Sequence, residues 1–261
     1  MNLQQLTDTI NKLFYNDTTS YKTIMSIQSE MLTIVGAGVS IKAINSKVIN
    51  RYIEKLKAKG NKPATINNKL MYLSKALSYA FRNQLIDFKP YIPVFKIQSK
   101  KDVIILPAEY QQMLDYCTKY ELNELYKIIV IGHNTGMRIS NILNLTKNDI
   151  DNGYIRIYQN KTNKPYSIPM NDKLKEVLKD FNKFNMNYRQ VEYQFKKMIK
   201  ELNLNNQITI HTLRHTTCTK LITSGVPIPV VQQLMNHKNI NTTMKYTHIK
   251  NEQLELAVMN L

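Results

Sequence analysis

Apolar positions recur every three to four residues through most of the chain, and where that period fails the sequence turns to proline, glycine and lysine. The clearest stretch begins near residue 46. Ile49, Tyr52, Ile53 and Leu56 fall on one helical face, with Ser46 placed to cap the start and Gly60 to end it. Pro63 and Thr65 open a second segment, in which Ile66, Leu70, Leu73, Leu77, Ala80 and Phe81 share a face. Asn67, Asn68, Lys69, Lys75 and Arg82 take the other. Earlier helices are predicted over Leu3–Phe14 and over part of residues 23–35, before the Gly36-Ala37-Gly38 break.

From residue 87 the pattern changes. Pro90, Pro93, Lys89, Lys96, Lys100 and Lys101 crowd a stretch without helical period. This predicts an extended basic linker over about 87–101 and a domain boundary near residue 100. Such a linker either follows a DNA backbone or is a solvated tether. Beyond it, Pro107 starts a helix through Met113 and Leu114, and residues 123–133 read as a buried helix around Leu125, Ile128 and Ile129. Residues 154–158 and 166–168 alternate as strands around Asn160-Lys161-Thr162-Asn163-Lys164, a hairpin signal. From Asp172 onward the pattern is mainly helical again, without internal repeat or low-complexity tract. The expected fold class is mainly α with a small β-sheet: a helical domain over residues 1–99, then a mixed α/β domain over 100–261.

Composition narrows the function. The 261 residues are 43% hydrophobic, enough to bury the core of one large domain or of two modest ones. Cys117 and Cys218 lie far apart with no CxxC spacing, a usage that fits a reducing cytosol and makes no metal cluster. There is no apolar run long enough to span a membrane, and Met1 to Ile10 lacks the basic and apolar regions of a signal peptide. A cytoplasmic location without a membrane partner is therefore expected. Lysine and arginine number 36 against 19 acidic residues, a formal net charge of +17. An AT-rich codon bias accounts for the excess of lysine over arginine but not for the shortage of acids. The expected partner is a polyanion, bound with release of its counterions.

Four short segments of the second half carry candidate chemistry. Thr135-Gly136-Met137-Arg138-Ile139-Ser140-Asn141-Ile142-Leu143 sets an arginine at a glycine turn before an apolar helix. The second is the hairpin, with Lys161 near its tip. His211-Thr212-Leu213-Arg214-His215 lies on a predicted helix. Finally, Leu234-Met235-Asn236-His237 precedes Thr242-Thr243-Met244-Lys245-Tyr246-Thr247-His248, which puts Tyr246 nine residues after His237. Each is weak alone. Together and in this order they resemble the TGxR, HxLRH and LxxH…Y elements of the tyrosine recombinase (phage integrase) family, over roughly residues 105–250. The helical first part looks like that family's smaller core-binding, SAM-like domain, and the second like its mixed α/β catalytic domain.

The resemblance implies a site-specific DNA recombinase with six catalytic residues, Arg138, Lys161, His211, Arg214, His237 and Tyr246, and with no cofactor or metal. Tyr246 would attack a phosphorus of double-stranded DNA, leaving a 3′-phosphotyrosine and a free 5′-hydroxyl. A 5′-hydroxyl of another strand then reverses the step, so the bond energy is kept without ATP. The chemistry separately asks for these residue types. Negative charge grows on the non-bridging oxygens in the transition state, and arginine meets it with a permanently charged, bidentate fork. Arg138 and Arg214 are the expected clamp, with His237 a further donor. A phenol with a reference pKa of about 10 needs a base, for which His211 is the candidate. Lys161 is the candidate proton donor to the leaving oxygen, with Lys164 as the alternative.

Plainer readings stand beside these. Tyr246 alone is one of sixteen tyrosines and would be taken for a core residue, and Lys161 for a solvated turn lysine. His211 and His215 share a helix face as zinc ligands do, but no HExxH glutamate accompanies them and Arg214 repels a cation. His215 reads as a buttress of its helix, and His133 and His248 as structural. Asn141 stands where the family commonly has an acidic residue, which implies an activity tuned rather than lost. Residues 249–261, with Ile249, Leu254, Ala257, Val258 and Leu261, read as a short amphipathic helix that either packs on its own domain or, as the resemblance implies and we expect, docks onto a neighbouring subunit. The resemblance further implies a C-shaped clamp around DNA, a homotetramer on two sites working through a Holliday junction, and an accessory DNA-bending protein. With about 100 residues ahead of the catalytic part, the two-domain form is expected. An integrase of a phage or mobile element is the leading reading. An Xer-type chromosome-dimer resolvase, a catalytically inactive DNA-binding regulator and a type IB topoisomerase are the alternatives.

Overall fold

The computed structural model describes residues 1–16, 18, 20–97, 103–158, 165–244 and 246. The chain divides into two compact units, Met1–Lys100 and Lys101–Leu261.

The first unit is a set of four helices, α1 (Leu3–Phe14), α2 (Tyr21–Val35), α3 (Ser46–Ala58) and α4 (Pro63–Arg82). Helix α1 starts in a capping box, Asn2 accepting from the Gln5 N–H and Gln5 from the Asn2 N–H. Helix α3 is capped by Asn45 rather than Ser46. The extended backbone of Asn45 lets its Oδ1 accept from the Lys47 and Val48 N–H groups. Pro63 opens α4 at the position where a missing N–H does no harm. The apolar stripes meet in one core of Leu3, Leu6, Ile10, Met31, Ile49, Tyr52, Leu56, Leu70, Leu73 and Leu77. Phe81 departs from expectation at 48% exposed, because the buried stripe of α4 closes through Ala76 and Ala80 instead.

A buried polar chain crosses this core. Gln28 donates to Thr7 Oγ1 and Asp8 Oδ1 and accepts from Asn11 Nδ2, while the Tyr72 hydroxyl donates to Asn11 Oδ1. The basic stretch after α4 is extended, with neither helix nor strand over 88–97, yet it is no free tether. The Asn67 side chain both donates to the Phe95 carbonyl and accepts from its N–H, each at 2.8 Å. Ile92 and Phe95 join the core of the first unit. Residues 98–101 of the expected linker lie outside the described residues.

The second unit is mainly helical with one small sheet. Its helices are α5 (Pro107–Lys119), α6 (Asn123–Thr135), α7 (Ile139–Leu143), α8 (Asp172–Leu178), α9 (Tyr188–Glu201), α10 (Ile210–Thr223), α11 (Ile228–Met235) and α12 (Ile240–Met244). Leu125, Ile128, Ile129, Val130 and Ile131 are buried all along α6, which packs against α5, α8 and α10. Strands β1 (Ile150–Asp151), β2 (Tyr154–Tyr158) and β3 (Pro165–Pro169) form an antiparallel meander in that order. Buried Ile155 pairs with buried Ile168. The β1–β2 turn is Asn152-Gly153, both at positive φ as a tight hairpin demands. The tip of the next hairpin, with Lys161 and Lys164, lies outside the described residues, as do His248 and the 249–261 tail.

Candidate active site

The segment Thr135-Gly136-Met137-Arg138 is a helix terminus built to present a side chain. Gly136 ends α6 in the left-handed region at φ +64°, and a Cβ there would stand 2.5 Å from Met235 Cε. The Thr135 hydroxyl donates back to the Ile131 carbonyl and accepts from the Met137 N–H, which fixes the exit of the chain. Arg138 follows at the start of α7. It is exposed, with Nη1 3.4 Å from the Asn236 carbonyl.

Helix α10 carries the second group. His211, Arg214 and His215 are three and four residues apart and so share a face. Arg214 is only 5% exposed, and its two terminal nitrogens donate to the carbonyls of Gly136 and Met235. It thereby ties the end of α6 to the end of α11. Of its five N–H donors these two contacts use two, which leaves others for an anion. Behind it, the Thr217 hydroxyl donates to the His133 carbonyl and the Thr216 hydroxyl accepts from the Ile105 N–H.

Helix α11 ends at Asn236, left-handed at φ +49°, and the turn delivers His237. His237 is buried. Its backbone N–H donates to the Gln232 carbonyl, its own carbonyl accepts from Gln232 Nε2, and its Nδ1 lies 2.9 Å from Thr243 Oγ1. A cleft of about 250 Å³ opens here, lined by Arg138, Asn236, His237, Lys238, Asn239 and Thr242.

Tyr246 is half-buried against Cys218, Val231 and Met235. Its hydroxyl lies 2.7 Å from His215 Nδ1, with the two rings 5.3 Å apart. The rings of His211 and His215 meet edge to face at 4.9 Å. The imidazole bonded to the phenol is therefore His215, the residue read from the sequence as a buttress. Its position four after His211 and one after Arg214 was the signal available.

Electrostatics follow from crowding cations in a partly dry place. Burial, then the charge of Arg138, draws the Arg214 guanidinium down to about 10. His211 is pushed down by burial, then by His215, Arg214 and Arg138. His237 falls to about 4, by burial and then by the two arginines and the two other histidines. Tyr166 of β3 is pushed up by burial while both arginines pull the other way, which places it within their field; the sequence reading had missed it. His133 stands apart, stacked on Tyr110 at 3.9 Å.

Arg138, His211, Arg214, His215 and His237 are thus linked in one electrostatic cluster, which Tyr246 joins through Arg214 and His215. Among the described residues no group of three or more His, Cys, Asp or Glu is placed to hold a metal. Permanent cations and neutral imidazoles around a cleft suit a phosphate, and a phenol bonded to an imidazole suits nucleophilic attack.

Comparison with known proteins agrees with this chemistry. Residues 104–253 match the Phage integrase family and residues 4–98 the Phage integrase SAM-like domain. The chain is 26% identical over 269 residues to the tyrosine recombinase XerC of Pediococcus pentosaceus, covering 91% of this chain and 88% of that one. The fold matches the Tn1549 transposon integrase in complex with a circular intermediate DNA, at TM-score 0.84 and 21% identity over the whole of both chains. It also matches a lambda integrase tetramer bound to a Holliday junction, at TM-score 0.75 and 19% identity, over 94% of this chain and 77% of that one.

Proposed function

The chain belongs to the phage integrase family and is a tyrosine recombinase, and we propose that it integrates or excises a phage or mobile element by cutting and rejoining duplex DNA through Tyr246. The observation that carries this reading is a phenol held among Arg138, Arg214, His211, His215 and His237 beside an open cationic cleft.

In this reading the scissile phosphate enters the cleft. Arg138, exposed and fixed at a helix start, meets one non-bridging oxygen, and the remaining donors of Arg214 meet the other. His237, neutral and with Nδ1 engaged by Thr243, offers Nε2 as a further donor. Tyr246 attacks the phosphorus, forming the 3′-phosphotyrosine and expelling the 5′-oxygen. The resemblance gives the phenolic proton to His211 and the proton of the leaving oxygen to Lys161. A 5′-thio leaving group, which needs no such proton, should restore cleavage to Lys161→Ala; failure to restore it would assign the acid elsewhere.

Four copies acting on two sites, an accessory DNA-bending protein, docking of the 249–261 tail on a neighbour and a cytoplasmic setting complete the proposal. The lambda integrase tetramer on its junction supports the first of these. The similarity to XerC favours a second reading, resolution of chromosome dimers by the same chemistry. Recombination between the ends of the encoding element, against a chromosomal site, separates the two.

The test is covalent trapping on nicked duplex spanning those ends, without magnesium, resolved on a denaturing gel. Wild-type protein should give a slow-migrating adduct and Tyr246→Phe none, with DNA affinity unchanged. An adduct from Tyr246→Phe refutes the choice of nucleophile.

A further inference from the structure

We propose that His215, rather than His211, takes the phenolic proton of Tyr246 as the DNA is cut; this rests on Tyr246 being the nucleophile. A base has to lie within hydrogen-bond reach of the proton it removes, and the ring nitrogen in that position is His215 Nδ1, 2.7 Å from the phenolic oxygen. In this proposal the phenol, which has the proton to give, is the donor and Nδ1 the acceptor. The ring is held for the task. Its helix is pinned on both sides of it by the two carbonyl contacts of Arg214 and by the hydroxyls of Thr216 and Thr217. The phenol is held as well, packed on Cys218, Val231 and Met235.

His211 lies one turn earlier on the same helix, with its ring edge-on to His215. This puts it beside the base and leaves it to the phosphate. Among the described residues, the other charged and titratable groups around the pair include Arg138, Arg214, His237, Tyr166 and Cys218. Arg214 is within the field of the phenol and stabilises it as its proton departs.

The step balances. The O–H bond of Tyr246 breaks and its proton goes to His215 Nδ1, giving an imidazolium. The phenolic oxygen bonds to phosphorus as the bond from phosphorus to the 5′-oxygen breaks, and the leaving oxygen takes a proton from Lys161. On rejoining, the incoming 5′-hydroxyl gives its proton to Lys161, and the imidazolium returns its own to the departing phenol.

The experiment measures single-turnover cleavage of the nicked duplex by the full chain. It compares wild type, His215→Ala and His215→Asn, each with tyrosine or the more acidic 3,5-difluorotyrosine at position 246. Asparagine places an oxygen near the site of Nδ1, so it keeps the hydrogen bond but accepts no proton. Both substitutions should slow cleavage by about 100-fold, with DNA affinity and melting temperature near wild type. The fluorinated nucleophile, which needs less help to ionise, should recover at least tenfold of the loss in His215→Asn. Cleavage by His215→Asn within a few-fold of wild type overturns the proposal, since the hydrogen bond alone then suffices. A slow His215→Asn that the fluorinated nucleophile leaves slow also overturns it, because the ring then only positions the phenol. An absent wild-type adduct instead removes the nucleophile assignment beneath it.

Discussion

Arg214 has structural work as well as a charge to offer DNA, and the two can be separated. Its buried guanidinium donates to the carbonyls of Gly136 and Met235, the ends of two helices that carry Arg138 and His237. A hydrogen bond from a charged group contributes about 1.5–3 kcal/mol, so truncation to alanine removes two such bonds and leaves two carbonyls without their partner. The expected loss is about 3–5 kcal/mol. For a unit of this size each kcal/mol lowers the melting temperature by about 2–4 °C, so Arg214→Ala should melt about 6–20 °C below wild type. A lysine keeps the charge, but one ammonium cannot span both carbonyls as the fork does, so Arg214→Lys should lose about half as much. Arg138→Ala is the contrast, because Arg138 is exposed and meets the Asn236 carbonyl at a long 3.4 Å. It should lose cleavage, by about 3 kcal/mol of transition-state stabilisation, with a melting temperature within about 3 °C of wild type. Thermal melts followed by circular dichroism, beside covalent trapping, give both readouts. An Arg214→Ala protein that melts with wild type would refute the view that this side chain splices the two helix ends.

The polar chain in the first unit makes a second test. Gln28→Leu removes the buried acceptor of the Asn11 amide and the donor to Thr7 and Asp8, and should destabilise that unit by about 2–3 kcal/mol. Hydrogen exchange of α1 and α4 amides in the full chain should quicken by about a hundredfold, and unchanged protection would count against the network. A third test is pH. His133 is held neutral by burial, with its pKa pulled down to about 4, whereas in the unfolded chain it titrates near 6.5. Between those values the unfolded chain binds the extra proton, so stability falls as pH drops from about 6.5 toward 4, by up to about 1.4 kcal/mol per pH unit. Urea midpoints at pH 7 and pH 5 should therefore differ less in His133→Gln than in wild type. An equal difference would mean that another group sets the acid limb.

Much of this was legible in the sequence, for reasons that can be traced. The long helices were visible because their burial is one-sided, so Leu3, Leu6 and Ile10 or Ile49, Tyr52 and Leu56 keep the helical period. The cap of α3 slipped by one residue because Asn45 and Ser46 are equally good caps by type, and only backbone geometry chooses. Strand β1 was missed although Asn152-Gly153 is a strong turn signal, because two residues are too few to show alternation. Phe81 misled because an apolar face was extrapolated one residue past the last small side chain, Ala80. At the site, the short motifs announced residue identities but not hydrogen-bond partners. Which of two histidines on one helix face meets the tyrosine depends on how the turn after α11 packs, a long-range matter that no local pattern encodes.

His237 and Thr243 share a bond whose effect extends beyond either residue. When the Thr243 hydroxyl is the donor to Nδ1, the hydrogen of the ring sits on Nε2. In that tautomer the opposite edge of the ring carries a hydrogen, which is the polarity that phosphate oxygens require. The same threonine accepts the backbone N–H of Tyr246 through its carbonyl. The imidazole of His237 and the backbone of Tyr246 are thus strung through one intermediary, so Thr243 sets the position of both.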